Sequence, residues 1–459
     1  MGKIWLNTAW KLGALTGSKL LVFALMLVAA RWLTLPEFGY LVFILAYSQL
    51  AFVVLDAGVS TALWREASTA NDRGLRGYIA AHALRPWSLP VGLAVALLLL
   101  GLFDLPPDVA MFATLVLLGV AIESLTQLDL ALFKAQENLR HEALVSLLQR
   151  LVFVGLALAA LAAGLSLLGV GAAYLAGQTA ALWYSRRLHQ RPLSPFYDQQ
   201  PHAISLARLA LPLAAVNIFT VVYFRIDLVM LQKIAGAEQA GLYGAAYRLI
   251  EAAMMLPAAF LTAYFPRLAR HAEGGEEKLV AAAPLRMLVS VVTAGTAFGL
   301  VFASEALRLL FGAPFMEATW ALRILLLAMW LIFPNYLLTN MLVARREQKA
   351  FARFVGICAL MNVALNAVFI PWCGMVGAAA ATVATEGLLM LFSWRHLAKS
   401  EPSLVLRDLA FPLHYGAGFA IALFIAARFT TTGALVGGFA VLSLWCAIAL
   451  WKFHRREAR

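Results

Sequence analysis

Residues 212–251 read PLAAVNIFTVVYFRIDLVMLQKIAGAEQAGLYGAAYRLIE, and this stretch decides the fold. An apolar run from Pro212 to Tyr223 goes on to carry Arg225 and Asp227, resumes at Leu228 to Leu231 and breaks at Gly236. A second run after Gly241 carries Arg248 and Glu251. Two charged pairs therefore sit inside segments apolar enough to cross a bilayer. Charge there is costly unless it faces a protein interior or a wet cavity, so intramembrane ionisable residues read as functional. The rest of the chain reads as walls around that polar interior.

Composition agrees. The chain is 63% hydrophobic and 13% charged, with mean hydropathy +0.82, against about 25% charged in soluble domains. Apolar runs recur between short connections, which implies an all-α polytopic membrane protein of about 14 transmembrane helices. The first span is expected near 13–33, the third near 86–103 and the last two near 409–427 and 434–452. The net charge of +12 does not point to nucleic acid, because the basic residues lie in connections rather than on a folded face. Lys3 and Lys11 precede a first run that Lys19 interrupts, so the N-terminus reads as an uncleaved span rather than a signal peptide. With that end inside, Arg65, Arg73, Arg76, Arg85 and most other cations fall on the inner side, and only Arg31, Lys233, Arg308 and Arg428 fall outside. The positive-inside rule then puts both termini in the cytoplasm.

Pro192, Pro195 and Pro201 mark 191–208 as a cytoplasmic linker. The chain divides on this reading into an N-terminal six-helix lobe (1–190), a C-terminal six-helix lobe (209–400) and two further helices with a tail (401–459). A faint repeat supports the division: Gly39 and Arg65 recur at one common offset as Gly241 and Arg267. Parallel halves of this kind place a substrate site where they meet.

Catalytic and motor signatures do not emerge. Gly13-x-x-x-Gly17-Ser18-Lys19 falls one residue short of a P-loop and lies in a span, and neither His-Glu-x-x-His nor Gly-x-Ser-x-Gly occurs. An enzyme is not expected. Cys358, Cys373 and Cys446 are scattered through apolar runs and suggest neither a disulfide framework nor a metal cluster.

The cations inside spans are Lys19, Arg150, Arg225, Arg248 and Arg323. Converging, they would line a positive cavity suited to a pyrophosphate, which arginine grips bidentately. The competing reading is snorkelling to headgroups, open to Lys19, Arg150 and Arg323 near span ends. Arg225 and Asp227, two apart, face different sides of a helix, whereas Arg248 and Glu251, three apart, can pair. Asp227, Glu123, Asp56 and Glu251 are the candidates for coupling a proton or Na⁺ to transport. Asp129 and Glu386 read as partners of a neighbouring arginine or as end caps. Tyr243 and Tyr247 read as sugar contacts or an interfacial aromatic pair, and Asn362 and Asn366 as interhelical glue. No cofactor or metal is expected.

Arg225-Ile226-Asp227, Leu231, Gly241-Leu242-Tyr243 and Ala246-Tyr247-Arg248 resemble a signature of Wzx-type polysaccharide (O-antigen) flippases. So do Ala30 to Gly39 (ARWLTLPEFG), Asp56-Ala57-Gly58, Thr61-Ala62 and Arg65-Glu66. These proteins belong to the multidrug/oligosaccharidyl-lipid/polysaccharide exporter superfamily. The resemblance implies two six-helix lobes in a V around a central cavity, plus two C-terminal helices. It also implies a secondary transporter that moves an undecaprenyl-pyrophosphate-linked oligosaccharide from the cytoplasmic to the periplasmic leaflet of a bacterial inner membrane, for surface polysaccharide biosynthesis. Implied partners are that glycolipid, membrane lipids, a polysaccharide polymerase and a chain-length regulator. The alternatives are a multidrug/cation antiporter of the same superfamily, which would show an acidic lumen, and a peptidoglycan-precursor (lipid II) flippase. A membrane-embedded glycan polymerase would need an outer loop larger than 304–317.

Overall fold

The structure is a computed structural model that describes residues 2–68, 71–188, 201–272 and 277–399. Its helices are α1 (Gly2–Trp32), α2 (Leu35–Asp56), α3 (Val59–Ala67), α4 (Asn71–Leu100), α5 (Pro107–Ala135) and α6 (Leu139–Ala162). They continue as α7 (Ser166–Leu188), α8 (Pro201–Ala253), α9 (Met255–Ala272), α10 (Glu277–Leu310), α11 (Thr319–Ala344) and α12 (Gln348–Leu397). No strand occurs among the described residues.

Among the described residues, eight helical stretches are long and apolar enough to cross a bilayer, and the chain is a multi-pass membrane protein. Two of them are too long for one crossing. Ser205–His271 has 67 residues and Gln348–Leu397 has 50, or about 100 and 75 Å as straight helices against a hydrocarbon core of about 30 Å. Each is broken at a glycine with positive φ, Gly236 (87°) and Gly374 (54°), a conformation that costs a side chain dearly. At Gly374 the chain folds back on itself. Asn362 before the break donates to Thr385 after it (3.3 Å), and a Cβ on Gly377 would meet the Phe369 carbonyl oxygen at 2.2 Å. The expected helices at 409–427 and 434–452, within 401–459, lie outside the described residues, as do 191–200 of the region read as a linker, whose remaining residues, 201–208, are the start of α8.

The chain forms two compact units, Met1–Gly241 and Leu242–Arg459. In the first, Leu206 and Ala210 of α8 pack into a core with Val59 and Leu63 of α3, Tyr78 and Ala81 of α4, and Leu128 and Ala131 of α5. In the same unit, the repeated glycines meet each other. A Cβ on Gly39 would lie 1.8 Å from the Ala237 carbonyl oxygen, and one on Gly241 would lie 2.9 Å from the Leu35 carbonyl oxygen and 3.2 Å from Gly39 Cα. Helix α2 therefore crosses the chain after Gly236 backbone to backbone.

One boundary differs from expectation. The third span was expected to begin at 86, leaving Arg85 on the cytoplasmic side, but α4 runs from Asn71 through Pro86 and Pro90, with its membrane-suited part starting at Gly77. Arg85 is 2% exposed inside it. A charge next to a proline reads as a span edge, yet a buried partner removes the penalty for the charge, and neighbouring helices tolerate the proline.

Helix α2 begins with a capping box. Thr34 N–H donates to Glu37 Oε2 (2.8 Å), and Glu37 N–H donates to Thr34 Oγ1 (3.4 Å). The other Glu37 oxygen accepts from Ser166 at the start of α7 (2.6 Å). Glu37→Ala removes both the cap and this tie, so it is expected to cost about 1–2 kcal/mol. The check is a thermal unfolding midpoint in detergent, where Glu37→Gln should lose less.

Candidate functional site

Within the first unit, Arg225 lies half-buried on α8 and donates from Nε to Gln49 Oε1 of α2 (3.0 Å). Two residues on, Asp227 is 3% exposed and its Oδ1 accepts from the Leu228 N–H (2.8 Å). Two residues apart on α8, Arg225 is thus half-buried and Asp227 buried. Glu123 of α5 accepts at Oε2 from Tyr174 (3.0 Å) and Gln178 (2.8 Å) of α7. Arg150 of α6 is half-buried and close enough to act electrostatically on Tyr174. Glu123 and Arg150 thus belong to one polar patch among α5, α6 and α7. Lys19 stands exposed on α1.

Asp56 closes α2 as half of a buried ion pair. Arg85 Nη2 donates to Asp56 Oδ1 (2.7 Å) and to the Ser124 carbonyl oxygen (3.1 Å), while Nη1 donates to the Leu55 carbonyl oxygen (2.9 Å). The two side chains are 3% and 4% exposed. Asp56 therefore holds α2 to α4 and α5, and the residue that sequence reading missed is Arg85. Its signal lay in the recurrence of Tyr78, His82 and Arg85 on one face of a helix. Asp129 was read as the partner of a neighbouring arginine or as an end cap, and the structure pairs it with Arg186 of α7, whose Nε lies 3.3 Å from its Oδ2.

In the second unit, Arg248 Nη1 donates to Glu251 Oε2 (2.6 Å) in an i,i+3 pair whose side chains are 15% and 22% exposed. Arg323 donates from Nε to the Leu300 carbonyl oxygen (3.2 Å) and stacks over Trp320 (5.0 Å). That pattern suits an anchor between α11 and α10 more than a ligand grip. The structure also alters the reading of Tyr243 and Tyr247. They stack at 5.8 Å, with 0% and 7% exposure, and the Tyr243 hydroxyl meets Thr382 Oγ1 at 3.3 Å. Tyr243 has no surface left for a sugar and is no interfacial belt residue; it packs the interior, because its hydroxyl finds a partner there. Asn362 and Asn366 behave as glue: Asn366 donates to Asn362 Oδ1 (2.6 Å), and Asn362 reaches Thr385. Glu386 accepts at Oε2 from Asn335 of α11 (2.8 Å).

Comparison with known proteins places this arrangement. A family described as "Polysaccharide biosynthesis protein" matches residues 4–272, and one described as "Lipid II flippase MurJ" matches residues 226–449. A protein of Haloferax volcanii named "Probable low-salt glycan biosynthesis flippase Agl15" is 22% identical over 278 residues. That match covers 59% of this chain and spans 58% of the relative's length. Among solved structures, the inward closed conformation of lipid II flippase MurJ superposes with a TM-score of 0.78 at 14% identity, covering 97% of this chain and 99% of the other. An inward-facing multidrug resistance MATE family transporter of the MOP superfamily gives 0.68 at 14% identity, over 84% and 96%. At such identities the likeness shows a shared fold.

Proposed function

Because the chain belongs to the polysaccharide biosynthesis protein family, we propose that it is a secondary-transport flippase for a glycan carried on a polyprenyl pyrophosphate. The undecaprenyl-linked oligosaccharide of a bacterial surface polysaccharide is the reading of choice. The transport problem is a charged, hydroxyl-rich headgroup that must cross hydrocarbon, where each unpaired polar group costs several kcal/mol. A polar path that opens to one side at a time lowers that barrier while the lipid tail stays in the bilayer. The observation that carries the reading is Arg225, a half-buried guanidinium inside a membrane span, held at Nε by Gln49. A guanidinium fixed in this way is suited to an anionic phosphate oxygen.

The orientation that suits this task has both termini in the cytoplasm of a bacterial inner membrane, with a polymerase and a chain-length regulator acting on the product. A proton or sodium gradient would give the transport its direction. Flipping that persists after both gradients are collapsed would remove that part.

In proteoliposomes loaded with a fluorescent polyprenyl-pyrophosphate oligosaccharide, Arg225→Ala is expected to slow flipping about tenfold or more, the loss of one charge-assisted contact. Arg225→Lys should lose less, and both variants should remain folded. Wild-type flipping by Arg225→Ala would refute the role of this residue. The match of residues 226–449 to the lipid II flippase family supports a second reading, lipid II as substrate. Presenting both glycolipids to the same vesicles separates the two, and efflux of a cationic dye without either would favour a drug antiporter.

A further inference from the structure

At the end of the first unit that carries Arg186 and Arg187, helices α4, α5 and α7 close around Asp129, which is fully buried. Its Oδ1 accepts from the Tyr78 hydroxyl (2.6 Å) and its Oδ2 from Ser185 (2.6 Å), with Arg186 Nε 3.3 Å away. Arg186 has a second neighbour. Its Nη2 lies 2.8 Å from His82 Nε2, while His82 Nδ1 lies 3.1 Å from the Tyr78 carbonyl oxygen. A guanidinium has donors only, so Nε2 must present its lone pair and the ring proton must sit on Nδ1. The contacts thus select one tautomer of neutral imidazole.

A proton arriving at Nε2 would set N–H against N–H, and the Arg186 contact would have to open. Asp129 is already engaged, accepting from the Tyr78 and Ser185 hydroxyls and lying 3.3 Å from Arg186 Nε. The other charged groups around this face are Arg85 on α4, occupied by Asp56 of α2, and Glu66 of α3, beside Gly77. The Arg186 side chain is 39% exposed and Asp129 is 0% exposed, so only the arginine has water to move into.

We propose that His82 is a proton-binding site that works by displacing Arg186. A proton from water on the Arg186 side adds to the Nε2 lone pair, and the guanidinium swings outward. The imidazolium then stands in its place as the cation near Asp129, so one positive charge enters the cluster as another leaves and the buried carboxylate is never left bare. At this cluster α7 then keeps its Ser185 hydroxyl on Asp129, while the Tyr78 hydroxyl still joins α4 to α5. That this proton drives transport rests on the flippase reading; the site itself does not.

The test is nitrogen NMR of histidine- and arginine-labelled protein in nanodiscs, titrated from about pH 8 to about pH 5, a range that brackets ordinary histidine titration. The lone-pair signal of His82 Nε2, assigned by its loss in His82→Gln, is expected to disappear as the Arg186 guanidinium signals move in step. In Arg186→Gln, with the competing cation gone, the midpoint should rise by about one pH unit or more. A His82 that keeps its lone-pair signal throughout, or that protonates while the Arg186 signals stay fixed, would overturn the proposal. Flipping assays then separate the two claims. If the NMR behaves as expected but wild-type vesicles flip no glycolipid, the transport reading fails and the proton site stands; if they flip with unchanged pH dependence in His82→Gln, the coupling role alone is lost.

Discussion

Gly39→Ala is expected to leave little correctly folded protein in the membrane. The added Cβ would lie 1.8 Å from the backbone carbonyl oxygen of Ala237, and no rotamer change relieves a clash with main chain. Helix α2 would have to move away from the chain after Gly236 by more than an ångström. Overpacking usually costs about 1–3 kcal/mol and occasionally more; a collision with rigid backbone on both sides belongs at or above the upper end. The measurement is the thermal midpoint and monodisperse fraction of a fluorescently tagged protein in detergent. Gly241→Ala, whose Cβ would meet backbone at 2.9–3.2 Å, should fall between Gly39→Ala and wild type. Gly155→Ala, with nothing within 4 Å of its added Cβ, should be neutral or slightly stabilising. A wild-type midpoint for Gly39→Ala would show that the crossing is looser than described.

The second large effect is expected at Arg85. Arg85→Ala leaves Asp56 charged and buried, along with two carbonyl oxygens that lose their donor. Breaking a buried pair from one side costs about 3–5 kcal/mol. Replacing both partners with apolar residues of similar volume, Arg85→Met with Asp56→Leu, should recover most of that loss, because no bare charge remains. A double-mutant cycle on the same thermal readout checks this, and purely additive single effects would mean that the two side chains do not depend on each other.

Much of this was legible from residue order. Apolar runs marked crossings, and the Arg248 and Glu251 spacing announced their pairing. Arg85 was hidden because its partner lies 29 residues away, and hydropathy taken along one dimension cannot see a counter-charge on another helix. The same blindness misread Tyr243. A tyrosine near charged residues in a span suggests a polar lining, yet Thr382, which meets its hydroxyl, lies 139 residues further along the chain. His82 drew no attention at all, since a single histidine beside an apolar run acquires meaning only when three helices bring Asp129, Tyr78 and Arg186 to it.

The hairpin formed by α12 bears on how the protein is made. Asn362 and Asn366 of the first arm are buried, and the contact of Asn362 with Thr385 spans the two arms, so the first arm alone would present amides to lipid during synthesis. The arms should leave the translocation machinery as one unit, with Gly374 shaping the bend before the second arm is committed to the bilayer.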